Sequence, residues 1–248
     1  MKPIRWIAAF DTHGDMIDQS AREAFVKFQK FWKPTRVIHG GDWCDLRALR
    51  SSASAQDKAD GIEEDIEQGI DFLLEIGVTD LLFGNHDNRL IKALKYKPDG
   101  IIRAAASKLY DDVVRALDPK RVKYVPYGKR FGVLQLGKRT RIVHGYNASV
   151  YSAKQVATAF AMPGGTAMMG HVHTSSEHQE PCLDGRHGMT IGCLCNLDME
   201  YTEGHVKTLG WVHSWAYGLE YPNGEVVTWR AIKLPDGKWV LPSEIKTI

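Results

Sequence analysis

Five apolar runs in this chain stop in the same way, at an aspartate, asparagine or histidine with glycine beside it. "WIAAF" runs into Asp11-Thr12-His13-Gly14, "RVIHGG" into Asp42, and "DLLFG" into Asn85-His86-Asp87. "RIV" runs into His144-Gly145, and "AMMG" into His171-Val172-His173. Short apolar runs bounded by glycine read as buried strands. A turn accounts for Gly and Asn, but not for an imidazole at four of the five ends. In an open α/β sheet, ligands bind beyond the carboxyl ends of the strands. The repetition therefore asks for a fold that brings these five ends to one place.

The first half supplies such a sheet. "IRWIAAF" (4–10), "TRVIHGGD" and "TDLLF" alternate with helical patterns. Ser20 with Glu23 reads as a capping box opening a helix to about Trp32. Between Asp57 and Ile76, residues Ile62, Ile66, Ile70, Leu73 and Leu74 form one helical stripe. Further helical patterns cover about 88–95 and 101–117. Strand–helix alternation of this kind implies a parallel sheet covered by helices. Beyond residue 120 the pattern changes. "RFGVLQLGKRTRIVHG" reads as a hairpin turning at "LGKR", and "SAKQVATAF" as one more helix. Short strands follow Gly165, with "PNGE" and "PDGK" as hairpin turns. This second half is expected to form a second sheet packed on the first, within one domain spanning 1–248.

Composition removes some alternatives. The 248 residues are 44% hydrophobic and 25% charged, ordinary for a globular chain. A net charge of +2 selects neither acidic nor basic partners. The four cysteines, Cys44, Cys182, Cys193 and Cys195, contain no C-x-x-C pair, which points to reduced thiols in the cytoplasm. "MKPIRWIAAFDTHGD" has too short an apolar core for a signal peptide, and no run approaches the roughly 20 apolar residues of a membrane span. Nothing in the sequence marks an oligomeric state.

The residue types at the strand ends suit metal binding. In extended chain, side chains two apart face one way, so Asp11 would face with His13, and His171 with His173. Mixed imidazole and carboxylate donors suit Zn, Mn or Fe rather than Ca or Mg. Asp11, His13, Asp42, Asn85, His144, His171 and His173 are too many for one tetrahedral ion. They suit two divalent ions sharing a carboxylate, roughly 3.5–4 Å apart.

The ordered set D-x-H, G-D, G-N-H-D, H-G and G-H-x-H resembles the calcineurin-like metallophosphoesterase superfamily. It runs from Asp11 to His173, about two thirds of the chain. The resemblance implies an α/β (α+β) fold, a four-layer β-sandwich of two mixed sheets flanked by helices, with a dinuclear metal centre at one edge. It also implies roles. Asp11, His13 and His173 would hold one metal, and Asn85, His144 and His171 the other, with Asp42 bridging. His86 would act as acid or transition-state stabiliser, with Asp87 orienting its ring. Mn²⁺ is the first expectation, with Fe or Zn as alternatives. The expected substrate is a phosphate ester, a nucleotide or nucleic acid among the candidates. A phosphodiester is favoured over a monoester, and an inactive metal-bearing binding module is the rival from another class. "GCLCNLD" before an aromatic stretch and a final hairpin is similar to uncharacterised phosphoesterases of bacteriophages and bacteria.

The remaining residues divide less sharply. Arg89, three positions past His86, is either a solvated first-turn arginine or a clamp for a phosphate oxygen. Arg47 is a second candidate clamp. In the protein-phosphatase branch the corresponding pattern resembles G-D-x-x-D-R-G, whereas "GDWCDLRAL" places Leu46 there and Arg47 one later, and Asp87 stands where that branch has Glu. These departures argue against a Ser/Thr phosphatase. Cys44 beside Trp43 reads as inert packing, and Cys193 with Cys195 as too few ligands for a zinc site. His39, His178, His187, His205 and His213 match no motif and read as structural. Tyr201, Trp211, Trp215, Tyr217, Tyr221, Trp229 and Trp239 read as the core and rim of a sheet, with base stacking as the alternative.

Overall fold

From Trp6 onward, the strand Ile4–Ala9 (β1) is buried on both faces in the computed structural model, and this sets the layers. The described residues are 2–50, 53–55, 57, 61–96, 99–198 and 206–241. Trp6, Ala8 and then Phe10 point to one side of the sheet, and Ile7 and Ala9 to the other. A strand that meets a core on each face needs a continuous apolar run, which is what "WIAAF" provides.

β1 lies in the middle of a seven-stranded sheet ordered β12-β11-β10-β1-β2-β3-β4. Here β2 is Arg36–His39, β3 Asp80–Leu82, β4 Lys123–Val125, β10 Ser214–Glu220, β11 Val226–Lys233 and β12 Trp239–Val240. β1 to β4 run parallel, while β10 pairs antiparallel with β1. A second, five-stranded sheet has the order β5-β6-β7-β9-β8. It comprises β5 (Val133–Leu136), β6 (Thr140–Val143), β7 (Thr166–Met169), β8 (Ser176–Gln179) and β9 (His187–Thr190). β5 and β6 are the hairpin read from "LGKR", and β6 and β7 are parallel neighbours.

Helices close both outer faces. On the first sheet, α1 (Gln19–Trp32), α2 (Ile62–Glu75), α3 (Asp87–Tyr96) and α4 (Gly100–Leu117) bury Phe25, Phe72, Leu90 and Val113 in one core with Ile7 and Trp215. Between the sheets, Trp6, Ile38 and Leu82 meet Leu134, Ile142 and Met168. On the far side of the second sheet, α5 (Ser152–Phe160) packs Val156 against Val143 and Met169. The order helix, sheet, sheet, helix is the four-layer sandwich expected from the motifs.

Three local expectations change. The cap of α1 is Asp18, whose carboxylate accepts the Ala21 N–H at 2.8 Å. Ser20 instead sits inside the first turn and donates to Asp18. In the second helix Ile66 and Leu73 are buried, but Leu74 is 38% exposed, because the buried face turns through Asp65, Gly69 and Phe72. The C-terminal strands do not extend the second sheet. β10 returns to β1, and Trp215, Tyr217, Trp229 and Trp239 line the helix-side core of the first sheet. Tyr201 and His205 lie outside the described residues.

Candidate metal centre

β1, β2 and β3 of the first sheet, and β6 and β7 of the second, deliver their carboxyl ends to one rim. Asp11 and His13 follow β1, Asp42 follows β2, and Asn85, His86 and Asp87 follow β3. His144 follows β6, and His171 and His173 follow β7. The strands do not simply continue into these residues. Asp11, His13, Asp42, His171 and His173 all have left-handed backbones, with φ between 51° and 67°. Alternation along an extended chain therefore does not explain why Asp11 and His13 converge. Each turns inward on its own left-handed residue, at a cost of about 1–3 kcal/mol apiece. Cross-strand bonds hold them, from Asp11 N–H to the Gly41 carbonyl and from His13 N–H to the Asp42 carbonyl. Gly84 and Gly170 are needed for another reason. A Cβ at Gly84 would occupy the place of the Asp42 carboxylate, and one at Gly170 that of Asp11 and Phe10.

Asp42 lies at the centre. Asp11, His13 and Asp42 form one group of potential ligand atoms within 4.8 Å of one another; Asp42, His144 and His171 form another. His173 adjoins the first, its Nε2 3.3 Å from His13 Nε2. Asn85 adjoins the second, its Oδ1 2.9 Å from His144 Nε2. Backbone amides fix the outer carboxylate oxygens: His86 N–H donates to Asp42 Oδ1, and His171 N–H to Asp11 Oδ2.

The inner atoms are where a cation fits. The Nδ1 of His144 faces the Gly40 carbonyl at 3.1 Å, and that of His13 faces Asp45 Oδ1 at 2.9 Å. Those oxygens only accept, so each Nδ1 carries a proton and each ring turns its Nε2 inward. His144 Nε2 then meets Asp42 Oδ2 at 3.1 Å and Asn85 Oδ1, so three lone pairs converge. Asp11 Oδ1 is buried, 3.6 Å from His173 Nε2, and has no hydrogen-bond partner among the described residues. A proton or a metal ion must resolve each convergence. Burial disfavours a charged His144, yet Asp42 beside it raises its pKa to about 9. Burial likewise opposes ionisation of Asp42, but His144 and His86 hold its carboxyl well below the usual range. A bound divalent cation would displace such a proton.

Asp87 does not orient His86. It starts α3, and its carboxylate turns back to accept the N–H groups of Asp42, Gly84 and Cys44. Burial raises its pKa to about 7, the negative Asp42 adding to the effect. The orienting residue is Asp45. Its Oδ1 lies 2.7 Å from His86 Nδ1 and also receives His13 Nδ1. Asp45 is held in turn by Asp65, which accepts its N–H and that of Leu46.

The arginines separate. Arg89 donates from Nη1 to the Asp45 carbonyl at 2.8 Å, and its Nη2 stands 3.3 Å from His86 Nε2. Arg47 forms a bidentate pair with Asp15 at 2.8 and 2.6 Å. Cys44 is buried against Asp87, and burial with that neighbouring charge pushes its thiol pKa well up, as inert packing requires. His39 bonds Thr12 and is kept neutral by burial, its pKa down at about 3. His213 bonds the Cys195 carbonyl, while His178 and His187 lie 3.6 Å from Glu180 and Glu177. Sequence reading missed Asp45, although the second aspartate of "GDWCD" was its signal. It named Trp211 and Cys195 without placing either beside His173: the Trp211 ring lies 4.2 Å from that of His173, and the Cys195 sulfur 3.8 Å from His173 Nδ1.

No family model and no curated protein matches this chain. Solved structures do resemble it. Vacuolar protein sorting 29 from Cryptosporidium parvum is 14% identical over 96% of this chain and 95% of its own, with a TM-score of 0.48. A metallophosphoesterase from Sphaerobacter thermophilus is 15% identical over 92% and 87%, with a TM-score of 0.47. A dimetal phosphatase from Danio rerio is 11% identical over 92% and 99%, with a TM-score of 0.44.

Proposed function

We propose that this chain hydrolyses phosphate esters with two divalent cations, one held by Asp11, His13 and His173, the other by Asn85, His144 and His171, with Asp42 between them. The observation that supports this is the convergence of imidazole nitrogens and carboxylate oxygens from both sheets around Asp42. The nitrogen and oxygen donors suit Mn²⁺ first, with Fe or Zn as alternatives. Cations bound there supply charge neutralisation for phosphoryl oxygens and acidify an attacking water. The two sheets share one core, so we read 1–248 as one domain. Among the described residues, no helix is long and apolar enough to cross a membrane.

The rest of the reaction falls to the chain itself. Asp45 holds His86 by Nδ1, and Nε2, which faces the Arg89 guanidinium at 3.3 Å, is the atom that, once protonated and turned from that guanidinium to substrate, hands a proton to the leaving oxygen or stabilises charge on it. His86 Nε2 lies 3.9 Å from Asp42 Oδ2, beside the shared carboxylate. Arg89 is the guanidinium next to that nitrogen, placed to bind a non-bridging oxygen. A dianionic monoester needs more cationic contacts than a monoanionic diester, and Arg47 is engaged by Asp15. We therefore favour a phosphodiester, a nucleotide or nucleic acid being the natural candidate class.

The test is turnover of bis(p-nitrophenyl) phosphate against p-nitrophenyl phosphate by chelator-stripped protein resupplied with Mn²⁺. Cleavage of the diester is expected. Arg89→Ala should cost little there and more on an oligonucleotide. Turnover of the monoester alone would mean a phosphomonoesterase acting on a nucleotide, a nucleic-acid end or a phosphoprotein. Two bound Mn²⁺ with no turnover of any of these would mean a binding module.

A further inference from the structure

The three imidazoles whose Nε2 atoms face the candidate centre are held from behind by different atoms. His13 Nδ1 has the Asp45 carboxylate, and His144 Nδ1 has the Gly40 carbonyl. His173 Nδ1 has sulfur: Cys195 Sγ at 3.8 Å. Oxygen is the usual partner at that position of a metal-binding histidine, and it fixes both the tautomer and the orientation of the ring. Sulfur accepts a hydrogen bond more weakly than oxygen, so the ring must be restrained in other ways too.

The surroundings supply that restraint. Cys195 is fully buried. Its N–H donates to the Asp11 carbonyl at 3.1 Å, and its own carbonyl accepts from His213 Nε2 at 3.0 Å. The same segment pairs with Ile17 through an isolated bridge. The backbone that carries the thiol is thus tied directly to the backbone of Asp11. The His173 carbonyl accepts the Val212 N–H at 2.9 Å, and the Trp211 ring packs against the His173 ring. The buried sulfur therefore has a fixed place relative to both Asp11 and His173.

We propose that Cys195 is a positioning residue for His173. Its sulfur accepts the Nδ1–H and so presents Nε2 to the cation position shared with Asp11 and His13. The inference rests on the metal reading above, and it confines the effect of the thiol to one of the two positions. Cys193 lies close by: its sulfur rests near the carbonyls of Cys195 and Val212 at 3.9 and 4.0 Å and also within hydrogen-bonding reach of His173.

The experiment is a Mn²⁺ titration of the chelator-stripped, full-length chain against a competing chelator, for the parent, Cys195→Ala, Cys195→Ser and Cys193→Ala. The parent should take up two ions. Cys195→Ala should lose about 10–100-fold in affinity at one position and nothing at the other. Cys195→Ser should recover part of that loss, because its hydroxyl oxygen accepts the same N–H. Cys193→Ala should lose less than Cys195→Ala at that position, because the Cys195 sulfur remains at Nδ1. If Cys195→Ala does not fold, Cys195→Val, similar in volume and without an acceptor, carries the same expectation. Equal affinities for both ions in the parent and in Cys195→Ala would overturn the inference alone, and so would a selective loss in Cys193→Ala instead. A parent chain that binds no Mn²⁺ would overturn the metal reading and this inference with it. Replacement with Co²⁺ gives a second readout. A thiolate-to-cobalt band in the near ultraviolet that disappears in Cys195→Ser would make Cys195 a ligand and overturn the positioning role.

Discussion

The two sheets contribute to the site in different ways. The first sheet brings negative charge. Asp11 and Asp42 face the centre, and behind them lie three further buried carboxylates, Asp45, Asp65 and Asp87, all bonded to backbone N–H groups or imidazoles. The second sheet brings imidazoles and no carboxylate to the candidate ligand groups among the described residues. Of these, His144 leans on a carbonyl and His173 on a sulfur and an indole. Buried carboxylates without compensation are costly. The first sheet therefore supplies charge that the second can neutralise only through protons on its histidines or through bound cations. The seam between the sheets is electrostatic as well as apolar, and it can be broken from either side.

The largest break is at Asp42, the residue that the two candidate ligand groups around the centre share. Asp42→Asn keeps the shape of the side chain and removes its charge. Metal analysis of the purified variant should find both ions weakened, and turnover should fall below detection. Two tightly held ions with parental turnover would show that the sheets do not meet through a shared carboxylate.

How far the sequence could be read follows the same division. The candidate ligands were legible because each is signalled locally, by an apolar run and then glycine with Asp, Asn or His. The alternation within the first sheet was legible too, since each strand–helix step leaves its own periodicity. What lies behind the ligands was not. Asp87 adjoins His86 in sequence, but α3 begins there and turns its carboxylate back toward Asp42 and Cys44. Asp45 reaches His86 from another strand end, and no local pattern encodes that reach. The return of β10 to β1 joins opposite ends of the chain, so "PNGE" announced the hairpin without naming its sheet. Left-handed backbones at Asp11 and His13 are equally silent, because neither residue type requires one.

A smaller break separates His86 from the residue that orients it. His86→Asn should keep both ions and lose about 10²–10⁴-fold in kcat, the usual range for a group that moves a proton. Asp45→Asn touches both His86 and His13. It should lower kcat and also loosen one ion, by about 10–100-fold. Metal content distinguishes the two variants. If His86→Asn loses an ion, His86 is itself a ligand. If Asp45→Asn changes kcat alone, its bond to His13 does nothing for the metal.

The smallest effect tests whether the carboxylates behind the first sheet carry charge at all. Asp65 accepts the N–H groups of Asp45 and Leu46, which favours its ionised form, but burial outweighs them and raises its pKa to about 7. In the unfolded chain it should titrate near the ordinary 3.8. The folded state then holds this proton more tightly. The stability it contributes is fully present below about pH 4 and is lost as pH rises through 7, by at most about 4 kcal/mol. Asp65→Asn cannot ionise. It should be less stable than the parent at acid pH, because its amide nitrogen faces an N–H where a carboxyl oxygen was. The gap should narrow steadily from pH 5 to pH 7 and level off above it. Urea unfolding in the presence of a chelator measures this without interference from pH-dependent metal binding, and Asp87, present in both proteins, cancels in the difference. A gap that stays constant across that range would mean that Asp65 is ionised throughout. The first sheet would then carry one more buried negative charge for the cations and imidazoles to offset.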